Sequence, residues 1–127
     1  MTARNAAAAL LEGPSLGEAL QRMRTRRGLT QIQVEHCCAE VSYKMVSHYE
    51  RGRKMPTPEA LLFLFEGLRA TSAEVDEVCL AAARSYPHRY TWLVTTPEAS
   101  RWTALRRFAR LSCELRYTEL RLATERG

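Results

Sequence analysis

Five hydroxyl residues, Ser15, Thr30, Ser42, Thr57 and Thr71, each stand just before a run of apolar residues at helical spacing. This repeated punctuation constrains the fold more than any other feature of the chain. A Ser or Thr in that place accepts a hydrogen bond from a first-turn N–H that has no partner inside the helix. The spacing predicts a first helix over about 16–27, with Leu16, Leu20 and Met23 inward, Glu18 completing a capping box with Ser15, and Gly28 just past the last turn. Thr30 opens a second helix with Gln31, Val34 and Cys38 on its inner side. After a turn at Ala39, Glu40 and Val41, Ser42 caps a third helix over 43–50, which turns Val46 and Tyr49 inward and ends at Gly52. Thr57, with Pro58 at the first helical position, opens a fourth helix to about Leu68, whose Leu and Phe content makes it the most buried. Thr71 and Glu74 form a further capping box for a fifth helix to about Arg84, with Val75, Val78, Cys79 and Ala82 inward.

The periodicity then breaks. Ser85 to Thr96, with Pro87 and the run Trp92-Leu93-Val94, reads as a linker with room for a short strand. A last and longest helix is expected over 98–124, where Ala104, Phe108, Leu111, Leu115, Thr118 and Leu122 form an apolar seam at alternating spacings of four and three. Such a seam is buried against its own domain or against another copy of the chain. The Pro-containing linker and the helix length favour a homodimer, with Phe108, Leu111, Leu115 and Leu122 as dimerisation candidates. The expected architecture is all-α: an N-terminal extension over 1–14, a five-helix domain over 15–85, and a linker with a long C-terminal helix over 86–127. A chain cut after Arg84 is expected to stay folded and lose its dimer.

With 127 residues, 46% of them hydrophobic and 26% charged, the chain can bury a core and is not a disordered tail. Its net charge of +5 admits a polyanionic partner without proving one. The charge is segmental. Residues 15–54 hold Arg22, Arg24, Arg26, Arg27, Lys44, Arg51, Arg53 and Lys54 against Glu18, Glu35, Glu40 and Glu50, whereas 55–85 leans acidic. No segment is apolar over the ~18 residues a membrane span needs, and the Ala/Leu run before Gly13 is too brief for a secretion signal, so a cytoplasmic protein is expected. Cys37, Cys38, Cys79 and Cys113 form no Cys-x-x-Cys pair and no His cluster accompanies them, so no metal is expected. They read as small buried hydrophobes, with oxidant sensing by Cys37 and Cys38 as the alternative. His36, His48 and His88 show no metal spacing, and neither a phosphate loop, a nucleophile elbow nor a carboxylate pair is present, so neither enzymatic activity nor a cofactor is expected.

Two short helices joined by a tight turn, the second flanked by bases, form a helix-turn-helix signal. The Leu16-Gly17 opening, Arg24, the box Gly28-Leu29-Thr30-Gln31, and the box Tyr49-Glu50-Arg51-Gly52 followed by Arg53, Lys54 and Pro56 occur in the order and spacing of a known group. Over about residues 15–84 the chain resembles the lambda-repressor-like (XRE-type) regulators. Major-groove reading needs a short helix with one face projecting beyond the domain, and the third helix offers Tyr43, Lys44, Met45, Ser47 and His48 there. The resemblance implies that the positions of Tyr43, Lys44, Met45 and His48 face the bases. It also implies that Gln31 meets the DNA backbone and that Arg24 pairs with Glu50 as scaffold. Thr30, Ser42, Arg51, Arg53 and Lys54 complete the phosphate candidates, which fix register without choosing sequence. One departure stands out. Thr30 to Ser42 is one residue longer than the usual spacing, the turn lacks its common Gly, and Glu35 or His36 replaces the small Ala usual midway along the second helix. Either the turn bulges or the second helix is rotated locally.

These readings lead to a transcriptional regulator, expected to act by occlusion or recruitment of polymerase, that binds double-stranded DNA at an inverted repeat as a homodimer. The rival reading, from another class, is a protein-interaction adaptor that keeps the fold without reading DNA.

Overall fold

A computed structural model of the chain describes residues 12–38, 40–95 and 103–107. The described residues are helical, without a strand. Helices α1 (Leu16–Arg26), α2 (Gln31–Cys37), α3 (Tyr43–Glu50), α4 (Pro58–Leu68) and α5 (Ser72–Ser85) are followed by two single turns, α6 (Pro87–Tyr90) and α7 (Trp92–Thr95). Residues 103–107 are also helical.

Each of the five hydroxyls caps its helix. The side chain of Ser15 accepts from the Glu18 N–H, Thr30 from Gln33, Ser42 from Met45, Thr57 from Ala60 and Thr71 from Glu74. Reciprocal capping boxes close at Thr30 with Gln33 and at Thr71 with Glu74. The first was not anticipated; its sequence mark is the Gln three residues after the Thr. At α1 the expected box is only half formed, with Ser15 accepting from the Glu18 N–H and no return bond to the Glu18 side chain; Leu16 N–H donates to Ser85 Oγ at 2.9 Å, which fastens the start of α1 to the end of α5.

The core forms where α1 crosses α3 and α5, and where α2 meets α3 and α4. Met23, Val34, Leu61, Phe65, Val78 and Cys79 are almost wholly excluded from water. Burying an apolar side chain of that size is worth about 1.5–3 kcal/mol. Two glycines permit close helix crossings. A Cβ at Gly17 on α1 would lie 2.3 Å from the carbonyl oxygen of Glu50, and one at Gly67 on α4 would lie 2.2 Å from Cys38 Sγ and 2.8 Å from the Cys37 oxygen.

The core does not end at α5. The segment expected as a linker is folded: Pro87 sits at the start of α6, where its fixed φ and missing N–H cost nothing, and Tyr90 and Leu93 are buried in the same cluster as α1–α5. Ala104 and Leu105 join that cluster. These four residues pack with α1–α5 although they lie beyond the boundary expected between 85 and 86. The periodicity breaks here because each of the two four-residue turns, α6 and α7, is too short to show a period. Residues 96–102 and 108–127, hence most of the expected helix over 98–124 with Phe108, Leu111, Leu115 and Leu122, lie outside the described residues, as do Cys113 and most of the extension over 1–14. The cysteines divide as well: Cys38 and Cys79 are buried, whereas Cys37, expected inside, is exposed.

Candidate nucleic-acid interface

Helix α3 turns about 100° per residue, which sorts its eight residues into two faces. Val46 and Tyr49 are buried, Met45 packs partly against the core, and Glu50 lies beside them in projection. Tyr43, Lys44, Ser47 and His48 fall on the opposite side: Tyr43 and Lys44 are exposed, Ser47 and His48 half-buried. The structure thus brings four of the five base candidates onto one face and sets Met45 apart. Met45 lines a groove with Val41, Tyr49, Ala60 and Phe63, rimmed by Glu40 and Glu59.

The turn before α3 accommodates its extra residue without losing its cap. Helix α2 stops at Cys37, the Val41 N–H donates to the Cys38 carbonyl at 2.9 Å, and Val41 is buried. Glu35 is the residue that meets α3: its Oε2 accepts from the Tyr43 N–H at 3.3 Å, while His36 is exposed. A carboxylate at a helix N-terminus satisfies an orphan donor and opposes the positive end of the helix dipole. Of the two positions open in the sequence, 35 therefore faces the third helix.

Glu50 ties the three helices of the motif together. Its carboxylate accepts from Arg24 Nε and Nη2, both at 2.8 Å, and from Gln31 Nε2 at 3.4 Å. Arg24 also donates through Nη1 to the Leu29 carbonyl at 2.8 Å. The pair is largely withdrawn from water, with 14% of the Arg24 side chain and 6% of the Glu50 side chain exposed. The hydrogen bond from Arg24 to Glu50 raises the guanidinium pKa further above its already high value. Gln31, a phosphate candidate, thus has its amide turned toward Glu50. The hydroxyl oxygens of Thr30 and Ser42 accept from Gln33 and Met45, which leaves their hydroxyl hydrogens to donate elsewhere.

The basic residues fall into two groups that the sequence did not separate. Arg22, Arg26 and Arg27 face α5: Arg27 forms a two-pronged contact with Glu74 at 2.7 Å on both arms, Arg26 reaches Glu74 and Glu77, and Arg22 reaches Glu77. Arg27 further donates to the carbonyls of Leu68, Met23 and Arg69. Arg27 thereby holds the Glu74 carboxyl at about 2, well below the usual carboxylate range. With Arg24 on Glu50, these cations are scaffold. Lys44, Arg51, Arg53 and Lys54 are exposed and make no ion pair with any described residue. They lie on the outward face of α3 and on the loop that follows it, so four exposed cations without an ion pair to a described residue gather beside the α3 face.

That loop is pinned at its start. Arg53 N–H donates to the His48 carbonyl at 2.9 Å and Lys54 N–H to the same oxygen at 3.4 Å, after Gly52 turns the chain at φ +71°. Among the described residues, no group of His, Cys, Asp and Glu is placed to hold a metal ion, and no helix is long and apolar enough to cross a membrane.

Two short helices joined by a tight turn, the second presenting an exposed face flanked by free cations, define a helix-turn-helix protein. The chain belongs to the helix-turn-helix domain family, whose model matches residues 15–78, half of the chain. This agrees with the lambda-repressor-like resemblance and makes the protein, in general terms, a DNA-binding regulator. No curated protein and no solved structure matches the chain.

Proposed function

We propose that the protein is a sequence-specific transcriptional regulator that reads the major groove with α3. The observation that carries this reading is the sorting of α3 and its charges. Tyr43, Lys44, Ser47 and His48 share the outward face, and four exposed cations with no ion pair to a described residue, Lys44, Arg51, Arg53 and Lys54, lie on that face or just after it. Lys44 has the donor for guanine O6 or N7, Ser47 and His48 can donate or accept at base edges, and the Tyr43 ring suits a thymine methyl. Met45, turned to the groove on α4, contributes to the seating of α3. Arg51, Arg53 and Lys54 supply phosphate contacts next to the groove, with Gln31, Thr30 and Ser42 at the neighbouring helix starts. The Arg24–Glu50 pair acts as scaffold, because it fixes α3 against α1 and α2 and is largely withdrawn from water.

The regulator is proposed to act as a homodimer on an inverted repeat, each α3 entering one of two major grooves about 34 Å apart. The seam Phe108, Leu111, Leu115 and Leu122 is assigned to the dimer contact by its spacing in the sequence. Occluding a promoter or recruiting polymerase from the bound site would make this a regulatory act. The deciding experiment is selection of bound duplexes from a random double-stranded pool at near-physiological salt. Enrichment of an inverted repeat supports the dimeric reader, and a single half-site removes the symmetric dimer. No enrichment by a protein shown to be folded favours the adaptor.

A further inference from the structure

The basic loop after α3 is held at its far end by a residue outside the helix-turn-helix domain. Pro56 is almost wholly buried, and its carbonyl accepts a hydrogen bond from the Tyr90 hydroxyl. Tyr90 is 1% exposed and belongs to α6, beyond residues 15–78 that the family model covers. Two residues upstream of Pro56 lies Lys54, and Arg51 and Arg53 precede it. The carbonyl of Pro56 precedes the α4 cap Thr57, so it has no place in the helical hydrogen-bond pattern and needs an outside donor. The loop therefore has two anchors: the His48 carbonyl holds Arg53 and Lys54 from within the motif, and Tyr90 holds Pro56 from the C-terminal side.

We infer that Tyr90 is a positioning residue for DNA binding, coupling the C-terminal segment to the phosphate-contacting loop Arg51–Lys54 through the buried Pro56 carbonyl. The inference rests on the DNA-reading proposal. Any rearrangement of the C-terminal segment that withdraws Tyr90 loosens the loop without touching the α3 face, and so changes affinity while leaving base preference intact. The segment beyond the family domain thereby has a direct physical route to the strength of binding.

Tyr90→Phe tests this, because it keeps the buried ring and removes the donor alone. Amide hydrogen exchange on the free protein should rise across residues 51–57 and stay unchanged in α1 and α5. Binding of a fluorescent random-sequence duplex should weaken about 3- to 30-fold, and the slope of log affinity against log salt should fall by ~1–2, the equivalent of one or two phosphate contacts. In a background of Arg51→Ala, Arg53→Ala and Lys54→Ala, Tyr90→Phe should cause no further loss, since a residue acting through the loop is silent once the loop is neutral. A further loss of the same size in that background, or an unchanged salt slope despite faster exchange in the loop, would overturn the coupling. Unchanged exchange across 51–57 would overturn the anchor itself. Failure of the wild-type protein to bind any duplex would instead remove the DNA reading on which the inference rests, an outcome the exchange data cannot mimic. Should Tyr90→Phe melt early, Met55→Gly with Tyr90 intact loosens the same loop, and it should reproduce the fall in slope. An unchanged slope in that variant would count against the coupling.

Discussion

Gly17 on α1 faces the carbonyl of Glu50 so closely that a Cβ there would lie 2.3 Å from the oxygen and 2.8 Å from its carbon. Those neighbours are backbone atoms and cannot rotate away. In an open helix, Gly→Ala gains about 1 kcal/mol of helix propensity. At this crossing the added methyl must push α1 off the end of α3, and overpacking of that kind costs about 1–3 kcal/mol. Gly17→Ala is therefore expected to destabilise the protein, measured by urea unfolding, and to weaken DNA binding more than its stability loss explains. A variant as stable as wild type would mean that the two helices separate without cost.

The Glu50 carboxylate is the second fixed point of the same crossing. Arg24→Ala leaves it buried with only the Gln31 amide, at 3.4 Å, as a partner from the present three bonds, and should cost about 3–5 kcal/mol. Arg24→Lys should recover little of this, since one ammonium cannot serve both carboxylate oxygens and the Leu29 carbonyl in the guanidinium geometry. A double-mutant cycle with Glu50→Gln should give a coupling above about 1 kcal/mol. Additive effects would place the pair at the surface in energetic terms.

Glu74 gives the fold an acid limb. Contact with Arg27 holds its folded pKa at about 2, against an ordinary value of 4.5. The folded-state pKa is depressed, so the unfolded chain binds more protons between the two values, and stability falls as pH drops through that window. The contribution is full above about pH 5 and is worth on the order of 3 kcal/mol. Glu74→Gln should flatten the fall in melting temperature between pH 5 and pH 2 while lowering stability at pH 7. A variant that retains the wild-type acid slope would assign the limb to other carboxylates.

Much of this fold was legible in the sequence because its signals are local. Ser42, Thr57 and Pro58 mark helix starts by chemistry that needs only three neighbouring residues, and Val46 and Tyr49 follow from period alone. The Arg24–Glu50 contact came through resemblance and not through spacing, since nothing in a 26-residue separation announces a pair. What stayed hidden depends on crossings. Gly17 and Gly67 look like ordinary helical glycines until another backbone is placed against them. Met45 lies at the border of two faces, where only the position of Phe63 on α4 decides its direction. The eight basic residues over 15–54 look like one field until α5 supplies Glu74 and Glu77 to three of them, Arg22, Arg26 and Arg27, and Glu50 takes Arg24. Tyr90 was lost in a segment too short to show a period.

The two sets of cations should separate in binding experiments. Lys44→Ala or His48→Ala is expected to reduce discrimination between a selected site and random DNA by ~1–3 kcal/mol for each lost base contact. Arg53→Ala should weaken both alike and lower the salt slope by ~0.9. Arg26→Ala, on the α5 side, should leave the slope unchanged. Unaltered discrimination in both α3 variants would move base reading off that face, and a slope change for Arg26→Ala would widen the phosphate footprint to α1.

A chain cut after Arg84 puts the expected boundary between 85 and 86 to the test. If 86–127 were an appendage, the fragment would melt with the full chain. The cut instead removes Ser85, whose hydroxyl accepts from the first N–H of α1, and Tyr90, Leu93, Ala104 and Leu105 from the core. It also leaves the Pro56 carbonyl without its donor. Each large side chain lost is worth about 1.5–3 kcal/mol of burial, and the sum approaches the whole stability of about 5–15 kcal/mol that a domain of this size has. The fragment is expected to show helical circular dichroism with a broad, low transition, whereas a chain cut after residue 107 should melt cooperatively near the full-length temperature. If the shorter fragment matches the longer one, the C-terminal turns do not contribute to the domain core, and Tyr90 has no mechanical hold on the loop it contacts.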